Sequence, residues 1–234
     1  MSATPARPAA SATAGVAGVA SKPRRRAGRP VARLLDQDGI TTAALKLISK
    51  KGYAGLTMAA LARSLGVAPS ALYNHVTAKD EVLLLLEDHL IAMVDVSAFA
   101  GEPWDVAVRS WAWSYRNVFA EHTPLIPVIA VLPVGNAPKT LAMYEAVTAG
   151  FRNASFPEEK IISAIVALEA FVFGAAYDVT APADIFDAGA LAGQVPNFTA
   201  AVDRLAAERH ASPTDVAFNL GLEALIAGLG ALRR

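Results

Sequence analysis

The 234-residue chain has no cysteine, only four histidines and few aromatic residues, which make up 7% of it. Without cysteine, a disulfide framework, a zinc–thiolate site and a thiol nucleophile are excluded. His75 shows no metal-ligand spacing with the other histidines, so we expect no metal site. The chain also lacks a nucleophile elbow, a phosphate-cradling glycine loop and a His-Glu-x-x-His motif. We therefore expect a protein that is not an enzyme and needs no cofactor.

Two features bear on location. The positive charges near the start follow a stretch of small residues at 1–21, whereas a signal peptide carries them before an apolar core. Ile161–Tyr177 is almost wholly apolar but short for a membrane span. It contains Glu169, and a charge at mid-span costs about 2.5–3.5 kcal/mol. We predict a cytoplasmic protein in which other helices or a second subunit bury this segment.

What the chain has in abundance is apolar residues, which make up 54% of it and are mostly Ala, Leu and Val. This composition, with little β-branched alternation, predicts an all-α fold. The net charge is zero, yet residues 1–100 carry 12 basic and 7 acidic residues, whereas residues 101–234 carry 9 and 14. A basic first part and an acidic remainder suit a polyanionic partner at one end.

Residues 56–79, LTMAALARSLGVAPSALYNHVTAK, predict two short helices joined by a tight turn and followed by a third. Thr57 can cap the first helix, and Gly66 can end it in left-handed geometry. Pro69 suits the first turn of the second helix, where its missing N–H has no cost. This is the helix-turn-helix pattern, whose second helix lies in the DNA major groove. It indicates a DNA-binding regulator.

A basic arm precedes this pattern. Residues 22–33 hold six positive charges and no acid. We interpret residues 1–33 as a disordered arm that contacts DNA phosphates or the minor groove; a solvated tail that only aids solubility is the alternative. The arm residues predicted to bind DNA are Arg24, Arg25, Arg26 and Arg29.

Apolar residues at helical spacing predict helices throughout the rest of the chain. They cover about 36–51, 58–65, 69–75, 78–96, 104–121, 138–152, 157–178, 198–208 and 213–232, with a loop at 180–197. Start signals are Thr77 with Asp80, Ser155 with Glu158, and Ser212 with Asp215. Gly101 and Pro103 interrupt the pattern, so we divide the chain into the arm, a DNA-binding domain at 34–96 and a helical domain at 97–234.

Aromatic residues at helical spacing in the second domain are candidates for a ligand pocket. Apolar walls with a few placed polar groups are typical of such pockets, although a plain hydrophobic core is the alternative for each residue. The ligand-binding candidates are Trp111, Tyr115, Phe119, Tyr144, Glu169, Phe173 and Tyr177.

The last predicted helix is rich in small residues, including Gly221, Gly228 and Gly230. Because glycine within a helix costs about 1 kcal/mol relative to alanine, we expect a compensating close approach between helices. We assign the helices at 157–178 and 213–232 to a four-helix interface of a homodimer. Packing within one subunit is the alternative.

One set of residues in the first domain follows a known family pattern, in one frame and with matching apolar spacing. These residues are Gly52-Tyr53, Leu56-Thr57, Leu61-Ala62, Leu65-Gly66-Val67, Leu72-Tyr73-x-His75, and Lys79 with Glu81. Through them the domain resembles the DNA-reading domain of the tetracycline-repressor (TetR) family, and the similarity covers about a quarter of the chain.

The resemblance implies a homodimer with a three-helix DNA-binding domain and a helical ligand-binding domain. It also implies repression of transcription until a small molecule releases the protein from double-stranded DNA. It assigns DNA contacts to Thr57, Ser70, Ala71, Tyr73, Asn74, His75 and Lys79. Two alternatives remain: an enzyme that acts on a small molecule in the bundle cavity, and a DNA-binding protein that responds to no ligand.

The sequence departs from the family pattern at two positions. Ala68 replaces the usual capping residue before the second helix of the motif, which predicts a loss of about 1 kcal/mol. Ala59 stands where some members place a base-reading arginine, so we expect that contact to be absent.

Overall fold

The computed structural model describes residues 35–207 and 212–233, and these residues contain α-helices and short 3₁₀ turns but no strand. The predicted all-α class is confirmed. The arm candidates Arg24, Arg25, Arg26 and Arg29 lie outside the described residues. The helices are α1 (Gln37–Lys51), α2 (Met58–Leu65), α3 (Pro69–Tyr73), α4 (Lys79–Ile91), α5 (Trp104–Ala120), α6 (Ile126–Ile129), α7 (Pro138–Asn153), α8 (Glu158–Asp178), α9 (Pro196–Ala207) and α10 (Pro213–Gly230).

The first two helices begin and end at the residues that the sequence marks. Oδ1 of Asp36 accepts a hydrogen bond from the Gly39 N–H at 2.7 Å and so caps α1. Oγ1 of Thr57 accepts one from the Ala60 N–H at 3.1 Å and caps α2, as predicted. Gly66 ends α2 with a φ of 70°, a conformation that glycine adopts without a steric penalty.

The next two helices are shorter than predicted. α3 ends at Tyr73 rather than at 75, and α4 ends at Ile91 rather than near 96. Beyond α4, Oδ1 of Asp95 accepts a hydrogen bond from the Ser97 N–H, and Oγ of Ser114 accepts one from the Asp95 N–H, both at 2.8 Å. Such side-chain bonds to the backbone compete with helix continuation. The chain therefore turns into a 3₁₀ segment at Ser97–Ala100.

The three predicted start signals mark the helix starts to within one residue, but the predicted capping bonds are not formed. The Thr77 N–H donates its hydrogen bond to Oε2 of Glu81, at 2.6 Å, and not to Asp80. The carboxylate that reaches back to Thr77 therefore lies one position further along the helix than predicted. Ser155 has a φ of 61° and does not cap α8, whose flanking residue Pro157 makes no side-chain cap bond.

The capping bonds predicted at the start of α10 are also absent, and here the predicted capping acid pairs with another helix. The Ser212 hydroxyl lies 2.8 Å from the Thr214 hydroxyl and makes no cap bond. Asp215 does not complete a capping box either, because its Oδ1 lies 2.8 Å from Nη2 of the buried Arg116 in α5. A second pair, Arg109 with Glu223, links the same two helices through bonds of 2.5 and 2.9 Å. The start of α10 is therefore fixed to α5.

One continuous apolar core runs from α1 to α10. α4 is the link in this core, because it packs against α1 on one side and against α5, α6 and α7 on the other. Behind it, α5 packs closely against α8, and α7 and α10 complete the group. Any change that moves α4 must therefore alter its packing with both groups of helices.

α8 is the one helix, within the part of the chain that the structure describes, that is long and apolar enough to cross a membrane. Seven of its residues are buried against neighbouring helices, as expected of a core helix. The other face of α8 is exposed, with Ile162 63% exposed. The expectation that other helices bury this segment is therefore confirmed for one face.

The predicted loop at 180–197 contains a short 3₁₀ helix at Gly189–Gln194, and α9 begins at Pro196, two residues earlier than expected. Pro196 occupies the first position of α9, where proline is favoured. Phe186 of the loop packs edge-on against Phe198 of α9, with ring centroids 6.3 Å apart.

Candidate DNA-binding face and ligand site

The outer side of α3 consists of polar and aromatic side chains above two buried anchors. Leu72 and Val76 are fully buried. Tyr73 is 48% exposed, and Asn74 and His75 are exposed beside it. These three exposed candidates lie at the end of α3 and directly after it, between the two buried anchors that hold this segment to the core.

The remaining candidates of the first domain are Ser70 and Ala71 in α3, Thr57 at the start of α2 and Lys79 at the start of α4. Ser70 is exposed and Ala71 is half-buried in the first turn of α3. Ala68, the residue before α3, makes no cap bond, as its side chain predicts. At the start of α4, Nζ of Lys79 lies 3.8 Å from the centroid of the Tyr53 ring. This cation–π contact fixes the direction of the ammonium group.

The interior of the second domain brings three of the ligand candidates together. Oε1 of Glu169 in α8 accepts hydrogen bonds from the Tyr144 hydroxyl of α7 at 2.8 Å and the Tyr115 hydroxyl of α5 at 3.2 Å. Glu169 is only 8% exposed. Burial raises its pKa, and the two tyrosine bonds partly oppose that rise. Burial and the Glu169 charge raise the pKa of both tyrosines, so both remain hydrogen-bond donors.

Glu87 in α4 is a fourth polar member of this group that the sequence analysis missed. It is buried, and its Oε2 atom has no hydrogen-bond partner. Burial raises the pKa of Glu87 to about 7, with smaller contributions from the charges of Asp88 and Glu169. A signal was present in the sequence: Glu87 lies four residues after Leu83 and four before Ile91, on the inward face of the helix.

Aromatic rings cover one side of this group. The rings of Tyr115, Phe119 and Phe173 contact one another, with centroids 5.1–5.4 Å apart. Trp111 is fully buried one turn earlier in α5, 5.6 Å from the Tyr115 ring. Tyr177 is exposed near the end of α8, apart from these rings. Six of the seven ligand candidates thus lie in or beside one interior cluster.

A second surface of this domain is apolar and exposed. Leu220 in α10 is 73% exposed, and Val216 one turn earlier is exposed too. Ile162 and Val166 form the matching stripe on α8. Gly221 allows the expected close approach between helices, because a Cβ there would lie 2.6 Å from the Phe171 ring of α8 in the same chain. That glycine serves packing within the subunit.

Two family models match the chain and between them cover most of it. The model described as bacterial regulatory proteins, tetR family, matches residues 40–86. The model described as tetracyclin repressor-like, C-terminal domain, matches residues 100–233. The first includes α3, and the second includes the exposed stripes and the members of the interior cluster other than Glu87, which directly follows the first match.

Relatives agree with these matches. An HTH-type transcriptional regulator of Saccharopolyspora erythraea is 30% identical over 141 residues, which are 60% of this chain and 59% of that relative. The structure of apo ActR from Streptomyces coelicolor has a TM-score of 0.70 and 29% identity, and the match covers 85% of this chain and 96% of that one.

A second structure of ActR, in complex with actinorhodin, has a TM-score of 0.67 and 28% identity, with 84% and 96% coverage. The same family is indicated by the helical fold with its helix-turn-helix, by the two family matches and by these relatives. The chain belongs to the TetR family of transcriptional regulators.

Proposed function

We propose that the chain is a ligand-responsive transcriptional repressor that acts in the cytoplasm and binds a palindromic operator as a homodimer. The observation that carries this proposal is the outward surface of α3, where Tyr73, Asn74 and His75 stand exposed above fully buried anchors. A short exposed helix held in this way can enter a major groove without disturbing the core.

The DNA contacts divide by chemistry. Phenol, hydroxyl and ammonium groups bind phosphate oxygens and fix the register, whereas groups that reach base edges read sequence. We assign Thr57, Tyr73 and Lys79 to the backbone, and Ser70, Ala71, Asn74 and His75 to the base-facing side of α3. The arm residues add further phosphate or minor-groove contacts.

The exposed stripes of α8 and α10 support a homodimer. Exposed apolar stripes of this kind mark an interaction site in a soluble protein, and two copies meeting there bury them in a four-helix interface. A two-fold dimer places its recognition helices about 34–36 Å apart, in successive major grooves on one face of DNA. The operator is then palindromic, because its symmetry mirrors that of the protein.

α4 supports a link between ligand and DNA. The helix carries Glu87 in the interior cluster and also packs against α1 of the DNA-binding domain. A small molecule bound at the cluster moves α4 and changes the separation of the recognition helices. It can release DNA only by its difference in affinity for the two states. ActR, a similar protein, has been seen with a small molecule bound, which supports this part of the proposal.

The test is a selection of genomic DNA fragments bound by the purified protein, followed by addition of candidate small molecules. We expect a palindromic consensus with half-sites one helical turn apart, and at least one compound that lowers affinity for it. Turnover of a compound without specific DNA binding would favour an enzyme. Binding that no compound alters would favour a DNA-binding protein without an effector.

A further inference from the structure

Among the residues that the structure describes, two buried acids, Glu87 of α4 and Glu169 of α8, have no cation to neutralise them. Glu87 is 4% exposed and Glu169 8% exposed. Within residues 35–207 and 212–233, no ion pair reaches either acid, and the buried guanidinium of Arg116 pairs with Asp215 instead. Burying carboxylates without a cationic partner costs free energy. This arrangement therefore does not stabilise the fold, and we look for its role in binding.

The two acids have unequal hydrogen bonding. Two tyrosine hydroxyls already satisfy Oε1 of Glu169. Oε2 of Glu87 has no donor at all, although the side chain is more than nine-tenths buried. Buried polar atoms are nearly always paired, so a donor from outside the chain is the simplest partner for this oxygen.

Aromatic rings complete the surroundings. Tyr115 donates its hydroxyl to Glu169 and contacts Phe119 and Phe173 through its ring. Carboxylates beside aromatic faces are the usual means by which proteins bind organic cations, because the ring quadrupole and the acid both attract positive charge. An anionic group would meet repulsion from both acids.

We propose that the effector is an organic cation, a protonated amine on an apolar or aromatic body, whose N–H group pairs with Glu87 while Glu169 and the aromatic rings surround its charge. This inference rests on the proposed ligand-responsive function and names the class of ligand for the same site. The four polar groups come from α4, α5, α7 and α8, so one bound cation contacts the linking helix and its neighbours together.

Binding of a cation should depend on pH. The groups that act on Glu87 are Asp88 on its own helix and Glu169 from α8, while Tyr115 and Tyr144 face both acids from α5 and α7. α6 has no titratable residue, and no titratable residue of α1 is among the groups that shift Glu87. Because the pKa of Glu87 is raised to about 7, affinity for a cation should rise as the pH passes through that value.

The experiment uses three naphthalene probes that differ in charge: naphthalene-1-methylamine, naphthalene-1-methanol and naphthalene-1-acetate. Their dissociation constants for the full chain are measured by titration calorimetry without DNA, so the result stands whether or not an operator is found. We expect the amine to bind at least about tenfold more tightly than the alcohol, and the acetate to bind most weakly.

Variants identify the residues. E87Q and E169Q keep the shape of each side chain, and we expect each to lose most of the preference for the amine. E87Q should also abolish the rise in affinity with pH. E145Q, which changes an exposed acid of α7, is the matched control and should behave as wild type. Equal binding of amine and alcohol, no binding of any probe, or wild-type preference in E87Q would overturn the proposal.

Discussion

Asp88 of α4 caps the first turn of α7 at Thr140: Oδ1 of Asp88 accepts a hydrogen bond from the Thr140 N–H at 3.0 Å. The same oxygen accepts from the Lys139 N–H at 2.7 Å. A capping carboxylate usually comes from the residue just before its helix, but this one comes from another helix. The start of α7 is therefore fixed to the helix that also packs against α1.

Replacing Asp88 by alanine should lower stability. Removal of the carboxylate leaves two backbone donors of α7 without their partner, at a cost of about 1–2 kcal/mol. The measurement is urea denaturation at constant protein concentration, with Asp203→Ala on the exposed side of α9 as the control. If both variants unfold at the same urea concentration, the cap contributes nothing.

Gly221 and Gly228 of α10 should respond in opposite directions to substitution by alanine. A Cβ at Gly221 would lie 2.6 Å from the Phe171 ring, whereas nothing lies within 4 Å of one at Gly228. We expect Gly221→Ala to destabilise by about 1–3 kcal/mol because the core must shift. Gly228→Ala should gain up to about 1 kcal/mol from helix propensity. Thermal denaturation at one protein concentration distinguishes them, and equal shifts would contradict the packing.

Leu220→Asp should convert a dimer into a monomer. The side chain is the most exposed of the apolar stripe on α10, and a charge at the centre of a buried interface costs several kcal/mol. Sedimentation equilibrium gives the mass directly. Leu141→Asp, an exposed leucine of α7, should leave the dimer intact. A dimer that survives the change at Leu220 would place the interface elsewhere.

The free energy of unfolding should fall as the pH rises from about 5 to 8, because Glu87 loses its proton in this interval. Its pKa in the folded protein is about 7, above the ordinary value of 4.5, so the folded state binds a proton more tightly than the unfolded state in that interval. The resulting loss in the free energy of unfolding is absent when the pH is below the ordinary pKa. It is complete above pH 7, where it reaches about 3 kcal/mol at most.

The variant Glu87→Gln removes this titration. Its free energy of unfolding should therefore exceed that of wild type at pH 8 and approach it at pH 5. Glu145→Gln should retain the wild-type dependence, since that side chain is exposed. The same slope in Glu87→Gln and wild type would show that another group causes the effect.

Local signals in the sequence were sufficient for the helix-turn-helix. Thr57 and Gly66 act within one turn of their own positions, so their roles depend little on the rest of the fold. The end of α4 was mispredicted because Ser114, a residue of another helix, competes for the backbone near Asp95. α10 begins at Pro213 as Ser212 and Asp215 predict, but these two residues form no capping box because the carboxylate of Asp215 pairs with Arg116.

The candidate site was predictable in part. Tyr115, Tyr144 and Glu169 were identified by residue type, but only the fold shows that three helices bring them to one oxygen. Glu87 was missed because acids in helices are mostly solvated, although its four-residue spacing from Leu83 and Ile91 places it on the inward face of α4. The contacts that the sequence does not reveal are those between residues far apart in the chain.

The most direct test of the central claim is the affinity of Tyr73→Ala for the selected operator, measured by fluorescence anisotropy and compared with wild type. The α3 surface predicts loss of operator binding, while sedimentation and circular dichroism show a folded protein with the wild-type subunit state. An unchanged dissociation constant in the folded variant would contradict the assignment of α3 as the DNA-reading helix.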